Sequence, residues 1–187
     1  MKRQYSVREA AQVLNVAEDT VVEWIQEYRL RASEHSDHSY TVSHEDFTSF
    51  LEQNRIPREI LNKENISKKR VLIVDDEPDL LDILEEQICT KDGYTAEGVS
   101  TAFEAGIFLR RYRPHVVVLD ISLTDIDGRK VCRIFKADDE VSHTKIIGIS
   151  GKISPIEERQ ILSQGFDAYL RKPFDMDELT KTIEEVL

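Results

Sequence analysis

Long apolar runs and cysteines are scarce in this 187-residue sequence. No stretch approaches the roughly 20 apolar residues that a membrane-spanning helix needs. The first ten residues, MKRQYSVREA, lack the apolar core of a secretory signal, so we expect a cytoplasmic chain. The two cysteines, Cys89 and Cys132, lie far apart in segments predicted to be helical. We therefore expect reduced, partly buried thiols, with neither a disulfide nor a metal site.

Basic residues are too few to make the chain as a whole attractive to polyanions. Residues 70–187 contain 15 Lys and Arg against 24 Asp and Glu, a net charge of −9, and residues 1–69 contain 10 against 12, a net charge of −2. An acidic surface repels phosphate backbones, so any contact with nucleic acid must be local. The length predicts one full-sized domain with a small companion.

The small companion is predicted over residues 3–54, with three short helices. Ser6 and Glu9 have the spacing of a capping box at the start of the first helix. Ser43 is a candidate cap for the third helix. Between the second and third helices, residues 40–42 (YTV) are a candidate arm of a small hairpin.

The polar segment 55–69 is predicted to be a linker, in which Ile60 and Leu61 could dock against a neighbouring part of the chain. The sequence pattern changes after it. The predicted strands are Val71–Val74, Thr95–Val99, Val116–Leu119, Ile146–Ile149 and Ala168–Leu170. The predicted helices lie near 78–90, 101–111, 128–138, 155–164 and 175–187. Strands that alternate with helices in this way predict an α/β fold, with a parallel sheet covered on both faces.

Polar residues follow the predicted strands at what should be one edge of this sheet. Asp75 and Asp76 follow the first strand, Asp120 ends the third, Ser150 ends the fourth and Lys172 follows the fifth. Functional sites of such sheets form at the carboxyl ends of the strands. Three carboxylates together require a counter-charge, and their hard oxygens suit a divalent cation such as Mg²⁺. A hydroxyl and an ammonium opposite them suit a phosphoryl group, so this set predicts phosphoryl transfer to a carboxylate oxygen.

The segments that carry these residues form an ordered set of motifs. They are 71–78 (VLIVDDEP), 117–120 (VVLD), 127–128 (DG), 149–150 (IS) and 172–174 (KPF). In order and spacing the set resembles response-regulator receiver domains over residues 70–187. The resemblance implies a flavodoxin-like fold with strand order 2-1-3-4-5. It also implies phosphorylation of Asp120 by a histidine kinase or a histidine phosphotransfer protein.

The resemblance further implies a role for each site residue. The implied Mg²⁺ ligands are Asp75, Asp76, Asp120 and the backbone carbonyl of Ser122. The implied phosphoryl-binding and switch residues are Ser150, Lys172 and Tyr169, and the bond between Lys172 and Pro173 is expected to be cis. The chain departs from the family at Thr124, where proline is usual, and we expect altered loop dynamics with the chemistry retained.

Two other interpretations of the acidic site are less well supported. An inactive receiver would usually lack the central aspartate or the lysine, whereas Asp120 and Lys172 are both present. A haloacid-dehalogenase-type phosphatase would have a second aspartate two residues after the nucleophile, where this chain has Ser122. We therefore expect a phosphoacceptor that dephosphorylates itself, not an enzyme.

Residues 3–54 resemble the winged helix-turn-helix domains of excisionases and MerR-like proteins. The resemblance rests on residues 5–16 (YSVREAAQVLNV) and 20–25 (TVVEWI), together with Leu30, Tyr40 and Phe47. In that family the second helix enters the major groove and the wing contacts the DNA backbone. The implied DNA contacts in this chain are Arg29 and Arg31, with Lys2, Arg3 and Arg8 as helpers.

The charge of this module opposes a DNA-binding function. The predicted second helix contains four acids, Glu18, Asp19, Glu23 and Glu27, and the wing contains no Lys or Arg. Two outputs therefore stay open: a DNA-binding transcriptional regulator, or a signalling adaptor whose module binds a protein. DNA binding would require a phosphorylation-dependent dimer or a partner, because a monomer should bind weakly. The histidines His35, His38 and His44 are expected in a solvated loop, and Trp24 in the core.

Overall fold

A computed structural model describes residues 4–62, 66–151 and 160–187 of the chain. The chain forms two compact units, Met1–Ser67 and Lys68–Leu187. None of the helices in the described ranges is long and apolar enough to cross a membrane.

The N-terminal unit combines three helices with a small antiparallel sheet. Its helices are α1 (Val7–Leu14), α2 (Glu18–Gln26) and α3 (His44–Gln53), followed by a 3₁₀ turn at Arg58–Leu61. Its strands are β1 (Gln4–Ser6), β2 (Ser33–Glu34) and β3 (Tyr40–Ser43), in the order β1-β3-β2. The hairpin arm at 40–42 is confirmed. Strand β1 was not predicted, because three residues are too few to show the alternation of a strand.

Local hydrogen bonds fix the ends of these helices as the sequence predicts. The capping box is complete, since the N–H of Glu9 donates to Oγ of Ser6 (3.2 Å) and the N–H of Ser6 donates to Oε2 of Glu9 (2.8 Å). Asn15 takes a left-handed conformation with φ 49° and ends α1 in the tight turn before α2. Ser43 caps α3 by accepting from the N–H of Asp46 at 3.1 Å.

The core of the N-terminal unit includes residues that we had expected in a linker. Trp24 packs on Phe50 with ring centroids 5.1 Å apart, which confirms its place in the core. Ile56, Ile60 and Leu61 are buried in the same cluster. The structure therefore differs from the expected linker at 55–69, because the 3₁₀ turn brings its apolar side chains against the N-terminal unit. Residues 63–65 of that segment lie outside the described residues.

The C-terminal unit is a five-stranded parallel sheet with helices on both faces. Its strands are β4 (Lys69–Val74), β5 (Tyr94–Val99), β6 (Val116–Asp120), β7 (Lys145–Ser150) and β8 (Ala168–Arg171). Its described helices are α4 (Pro78–Cys89), α5 (Ala102–Tyr112), α6 (Gly128–Lys136) and α7 (Met176–Val186). The order β5-β4-β6-β7-β8 is the predicted 2-1-3-4-5. Half of the helix predicted at 155–164, residues 155–159, lies outside the described residues, and Leu162–Gln164 form a 3₁₀ turn.

The alternation of side chains along each strand divides the core into two layers. On β4, Leu72 and Val74 join the cluster that α5 and α6 cover, whereas Val71 and Ile73 join the cluster on the α4 and α7 side. Burial on both faces explains why these strands are continuous apolar runs.

The edge strand β5 is capped by side chains of helix α4. The N–H of Ala96 donates to Sγ of Cys89 at 3.3 Å, and the N–H of Gly98 donates to Oε2 of Glu85 at 3.0 Å. Cys89 is exposed, which corrects the expectation of a partly buried thiol, and Cys132 is fully buried. Burial raises the pKa of the Cys132 thiol to about 11, so this group stays protonated.

Candidate functional site

Three carboxylates meet at the carboxyl edge of the sheet. Strands β4 and β6 are neighbours with Val74 opposite Leu119, so the residues that follow them, Asp75 and Asp120, emerge side by side. Asp75, Asp76 and Asp120 each offer an oxygen, and these oxygens lie within 4.8 Å of one another. Such a group of hard oxygen donors fits a divalent cation such as Mg²⁺.

The ammonium group of Lys172 lies among these acids. Its Nζ donates to Oδ2 of Asp75 at 2.6 Å and to Oδ2 of Asp120 at 2.8 Å. It also donates to Oε1 of Glu77 at 3.3 Å. Glu77 was missed by the sequence analysis, although its position directly after the aspartate pair was a usable signal. Lys172 precedes Pro173 through a cis peptide bond.

Burial and hydrogen bonding oppose each other in the pKa values of this group. Asp75 is fully buried, and its burial raises the pKa of the carboxyl more than the hydrogen bond to Lys172 lowers it. For Lys172, burial lowers the pKa, but hydrogen bonds to Asp120 and Asp75 outweigh it and raise the pKa above its ordinary value. Lys172 is therefore a fixed cation between two carboxylates.

Two serine hydroxyls continue the hydrogen bonding away from Asp120. The N–H of Ser122 donates to Oδ1 of Asp120 at 2.6 Å, and Oγ of Ser122 lies 2.8 Å from Oγ of Ser150. The hydroxyl of Tyr169 donates to the carbonyl oxygen of Ser150 at 2.9 Å. A continuous series of hydrogen bonds thus links the expected switch residues Ser150 and Tyr169 to Asp120.

These groups border an open pocket of about 360 Å³. The residues that line it are Asp76, Glu77, Asp120, Ser122, Gly151 and Lys172. Ser122 borders the pocket, whereas Ser150 is only 1% exposed and is not among its lining residues. A small anion in this pocket would meet the ammonium of Lys172 beside the Asp120 carboxylate.

The loop after Asp120 is tied to the acidic cluster from two sides. The backbone N–H of Thr124 donates to Oδ2 of Asp76 at 3.1 Å, a bond that proline could not make because it has no N–H. At the other end of the loop, Gly128 begins helix α6 against strand β6. The Thr124 departure therefore adds a hydrogen bond to a candidate metal ligand.

The N-terminal unit presents a second candidate surface along helix α2. The acids Glu18, Asp19, Glu23 and Glu27 are all exposed. Arg29 lies 5.5 Å over the ring of Trp24 and 3.6 Å from Glu27, so part of its charge is neutralised, while Arg31 is exposed. Arg8 is exposed on α1, and Lys2 and Arg3 lie outside the described residues.

Tyr28 stands out between α2 and the arginines. Its side chain is 95% exposed, and its backbone takes a left-handed conformation with φ 59°. A bulky residue rarely adopts this conformation, so no sequence pattern predicts it here.

The three histidines of the N-terminal unit have separate partners. His35 bonds Thr41, His38 bonds Glu34, and His44 bonds Tyr5. Among the described residues, one group of three or more acidic, histidine or cysteine side chains is close enough to share a cation. This group is Asp75, Asp76 and Asp120.

Comparison with known proteins agrees with this geometry. A family model described as the response regulator receiver domain matches residues 71–184, and one described as a helix-turn-helix domain matches residues 5–55. The DNA-binding response regulator MtrA of Mycolicibacterium smegmatis is 30% identical over 116 residues, which cover 62% of this chain and 49% of MtrA. The polar-differentiation response regulator DivK of Brucella anthropi is 29% identical over 119 residues, which cover 64% of this chain and 96% of DivK.

Solved structures give the same result. A signal receiver domain of a response regulator from Bermanella marisrubri is 32% identical, with a TM-score of 0.57 over 64% of this chain and 98% of that chain. The chain thus spans about half the length of MtrA and nearly all of DivK.

Proposed function

This chain belongs to the response regulator receiver family, and on that premise we propose that it is a two-component response regulator phosphorylated on Asp120. The phosphodonor would be a histidine kinase or a histidine phosphotransfer protein. The receiver would occupy residues 70–187 and the helix-turn-helix module residues 3–54. The observation that carries the proposal is the position of Asp120, which belongs to the acidic cluster and lies 2.8 Å from Nζ of Lys172.

The proposed reaction is an in-line transfer of one phosphoryl group. An oxygen of the Asp120 carboxylate forms the new P–O bond, and the P–N bond of the donor phosphohistidine breaks with its electron pair leaving on the imidazole. Asp75, Asp76, Asp120 and the backbone carbonyl of Ser122 would hold Mg²⁺, which would neutralise charge on the phosphoryl oxygens. Lys172 would bind a phosphoryl oxygen and orient it. Attack by water on the acyl phosphate would return the protein to its resting state.

The test is phosphorylation of the full chain by a small phosphodonor, with Mg²⁺ and with a chelator. We expect one acid-labile phosphoryl group on the wild-type chain with Mg²⁺, and none on Asp120→Asn. The matched control is Asp92→Asn, because Asp92 is an exposed aspartate in the turn before β5. Labelling of Asp120→Asn, or labelling that survives the chelator, would contradict the site.

For the output we propose DNA binding, with a protein-binding adaptor as the alternative. The helix-turn-helix match at residues 5–55 and the DNA-binding relative MtrA support DNA. The exposed acids of α2 and the net charge of −9 in residues 70–187 oppose it, because both repel phosphates. We therefore propose that DNA binding requires phosphorylation-driven dimerisation or a second protein, so that two weak modules act together.

The output is tested by titrating the phosphorylated full chain against a genomic fragment library at low and physiological salt. We expect enrichment of particular fragments, a shallow salt slope, and weaker binding by Arg31→Ala. Arg58→Ala is the matched control, because Arg58 is an exposed arginine already paired with Glu52. A pull-down with the same chain runs in parallel. Retained proteins without any enriched fragment would favour the adaptor.

A further inference from the structure

The hydrogen bond between two hydroxyls, Ser122 and Ser150, carries an inference about control of the site. We propose that the Ser122 hydroxyl is a latch that holds the Ser150 hydroxyl away from the phosphoryl pocket until Asp120 is phosphorylated. This inference rests on the proposed function, because it concerns the response to a phosphoryl group on Asp120. Ser122 is a positioning residue in it, acting through Ser150.

The positions of the two serines support the latch. Oγ of Ser122 lies 2.8 Å from Oγ of Ser150, and Ser122 borders the pocket while Ser150 is only 1% exposed. The Ser150 hydroxyl is therefore held behind Ser122, at the end of strand β7. Ser150 can approach a phosphoryl group only by giving up this partner or turning past it.

Phosphorylation of Asp120 opens the latch by changing two hydrogen bonds. The N–H of Ser122 donates to Oδ1 of Asp120 at 2.6 Å, so the position of Ser122 depends on the carboxylate. When Asp120 becomes an acyl phosphate, its carboxylate charge moves out to the phosphoryl oxygens, and this hydrogen bond weakens. At the same time a phosphoryl oxygen offers Ser150 a charge-assisted hydrogen bond, which is stronger than a bond between two neutral hydroxyls.

A further hydrogen bond extends this series from Ser150 to Tyr169. The hydroxyl of Tyr169 donates to the carbonyl oxygen of Ser150 at 2.9 Å. A movement of Ser150 toward the pocket therefore changes the distance and angle of the Tyr169 bond. Part of the free energy of the interaction between Ser150 and the phosphoryl group is needed to break the bond between Ser150 and Ser122. Only the remainder drives the change at Tyr169.

The experiment measures the affinity of the full chain for beryllofluoride, a phosphoryl mimic, at saturating Mg²⁺. The resonance of a fluorine-labelled Tyr169 provides a second readout. Ser122→Ala removes the latch, so we expect it to bind beryllofluoride about fivefold more tightly, as follows from losing one neutral hydrogen bond in the unbound state. Its Tyr169 resonance should shift toward the bound position before any ligand is added. Ser122→Thr keeps a hydroxyl and should restore the wild-type affinity.

The pairing is isolated by a double-mutant cycle. In a Ser150→Ala background, Ser122→Ala should leave the affinity unchanged, since the partner is already missing. An unchanged or weaker affinity of Ser122→Ala, or the same gain in the Ser150→Ala background, would overturn the latch while leaving Asp120 as phosphoacceptor. Failure of the wild-type chain to bind beryllofluoride with Mg²⁺ would overturn the phosphoacceptor assignment as well.

Discussion

Gly128 and Asp120 touch so closely that only glycine fits at the first position of helix α6. A β-carbon on Gly128 would lie 2.4 Å from the carbonyl oxygen of Asp120 and 2.8 Å from Cα of Ile121. Both of these atoms belong to the backbone, so neither can move as a flexible side chain would. The start of α6 therefore sets the position of the strand end that carries Asp120.

We expect Gly128→Ala to destabilise the C-terminal unit by about 1–3 kcal/mol, because the added methyl group overpacks rigid backbone. It should also slow the phosphorylation of Asp120. The matched control is Gly106→Ala within helix α5, where a β-carbon meets no atom within 4 Å. This control should stabilise the unit by roughly 0.5–1 kcal/mol, since alanine is the better helix former. Urea denaturation measures both; equal stabilities of the two variants would contradict the argument.

We expect Lys172 to compete with a divalent cation for the same carboxylates. Lys172→Ala removes the ammonium that bonds Asp75 and Asp120. We expect the affinity for Mg²⁺ to rise several-fold while the rate of phosphorylation falls at least about tenfold, because the cation that orients the phosphoryl group is lost. Calorimetric Mg²⁺ titration and phosphodonor kinetics measure the two effects.

The control for that experiment is Lys181→Ala, because Lys181 is an exposed lysine on α7 paired only loosely with Glu185 at 3.8 Å. It should change neither quantity. A Lys172→Ala variant with weaker Mg²⁺ binding would show that the ammonium organises the acids instead of competing for them.

His115 predicts a loss of stability in mild acid. Burial lowers its pKa to about 3, with smaller contributions from Arg70, Lys69 and His143, and its Nδ1 accepts a hydrogen bond from the N–H of Arg70 at 3.0 Å. The unfolded chain, with a histidine pKa near 6.5, binds a proton first as the pH falls. The stabilisation by neutral His115 is therefore complete above pH 6.5 and is lost progressively between about pH 6.5 and 3.

Between pH 6.5 and 5 this loss amounts to about 2 kcal/mol in the free energy of unfolding of the C-terminal unit. His115→Asn keeps an acceptor without the titration and should flatten the pH dependence in that window. His38→Asn alters an exposed histidine instead and should leave the dependence unchanged. Denaturation curves of both variants at pH 5 and pH 6.5 measure the free energies of unfolding that test these two expectations.

The left-handed backbone at Tyr28 predicts that glycine is more stable than tyrosine at this position. Tyr28→Gly should stabilise the N-terminal unit by roughly 0.5–1 kcal/mol, because glycine adopts a positive φ freely. Tyr28→Ala removes the same exposed ring but keeps the strained backbone, and it should give no such gain. Thermal unfolding of the two variants distinguishes backbone strain from side-chain effects, and equal melting temperatures would exclude strain.

The sequence predicted the C-terminal fold well because its strands are buried on both faces. Apolar runs such as 71–74 and 116–119 can be recognised locally, and the polar residues that follow them mark the edge of the sheet. Both cap predictions, at Ser6 and Ser43, depend on contacts within three residues and were confirmed for the same reason.

Features that depend on distant contacts could not be predicted in this way. Burial of Ile60 depends on the N-terminal core, so the polar residues around it indicated a linker and left the docking site of Ile60 open. The bond between Ser122 and Ser150 joins residues 28 positions apart in the sequence, and no local sequence pattern predicts it. The contact of Lys172 with Glu77 likewise spans 95 positions.

The capped edge of β5 limits the ways in which this protein can assemble. Partners that extend a sheet must bond the free N–H groups of an edge strand. At β5, the groups of Ala96 and Gly98 are already occupied by Cys89 and Glu85. On the β5 side, a partner would therefore have to bind through side chains and not by adding a strand to the sheet.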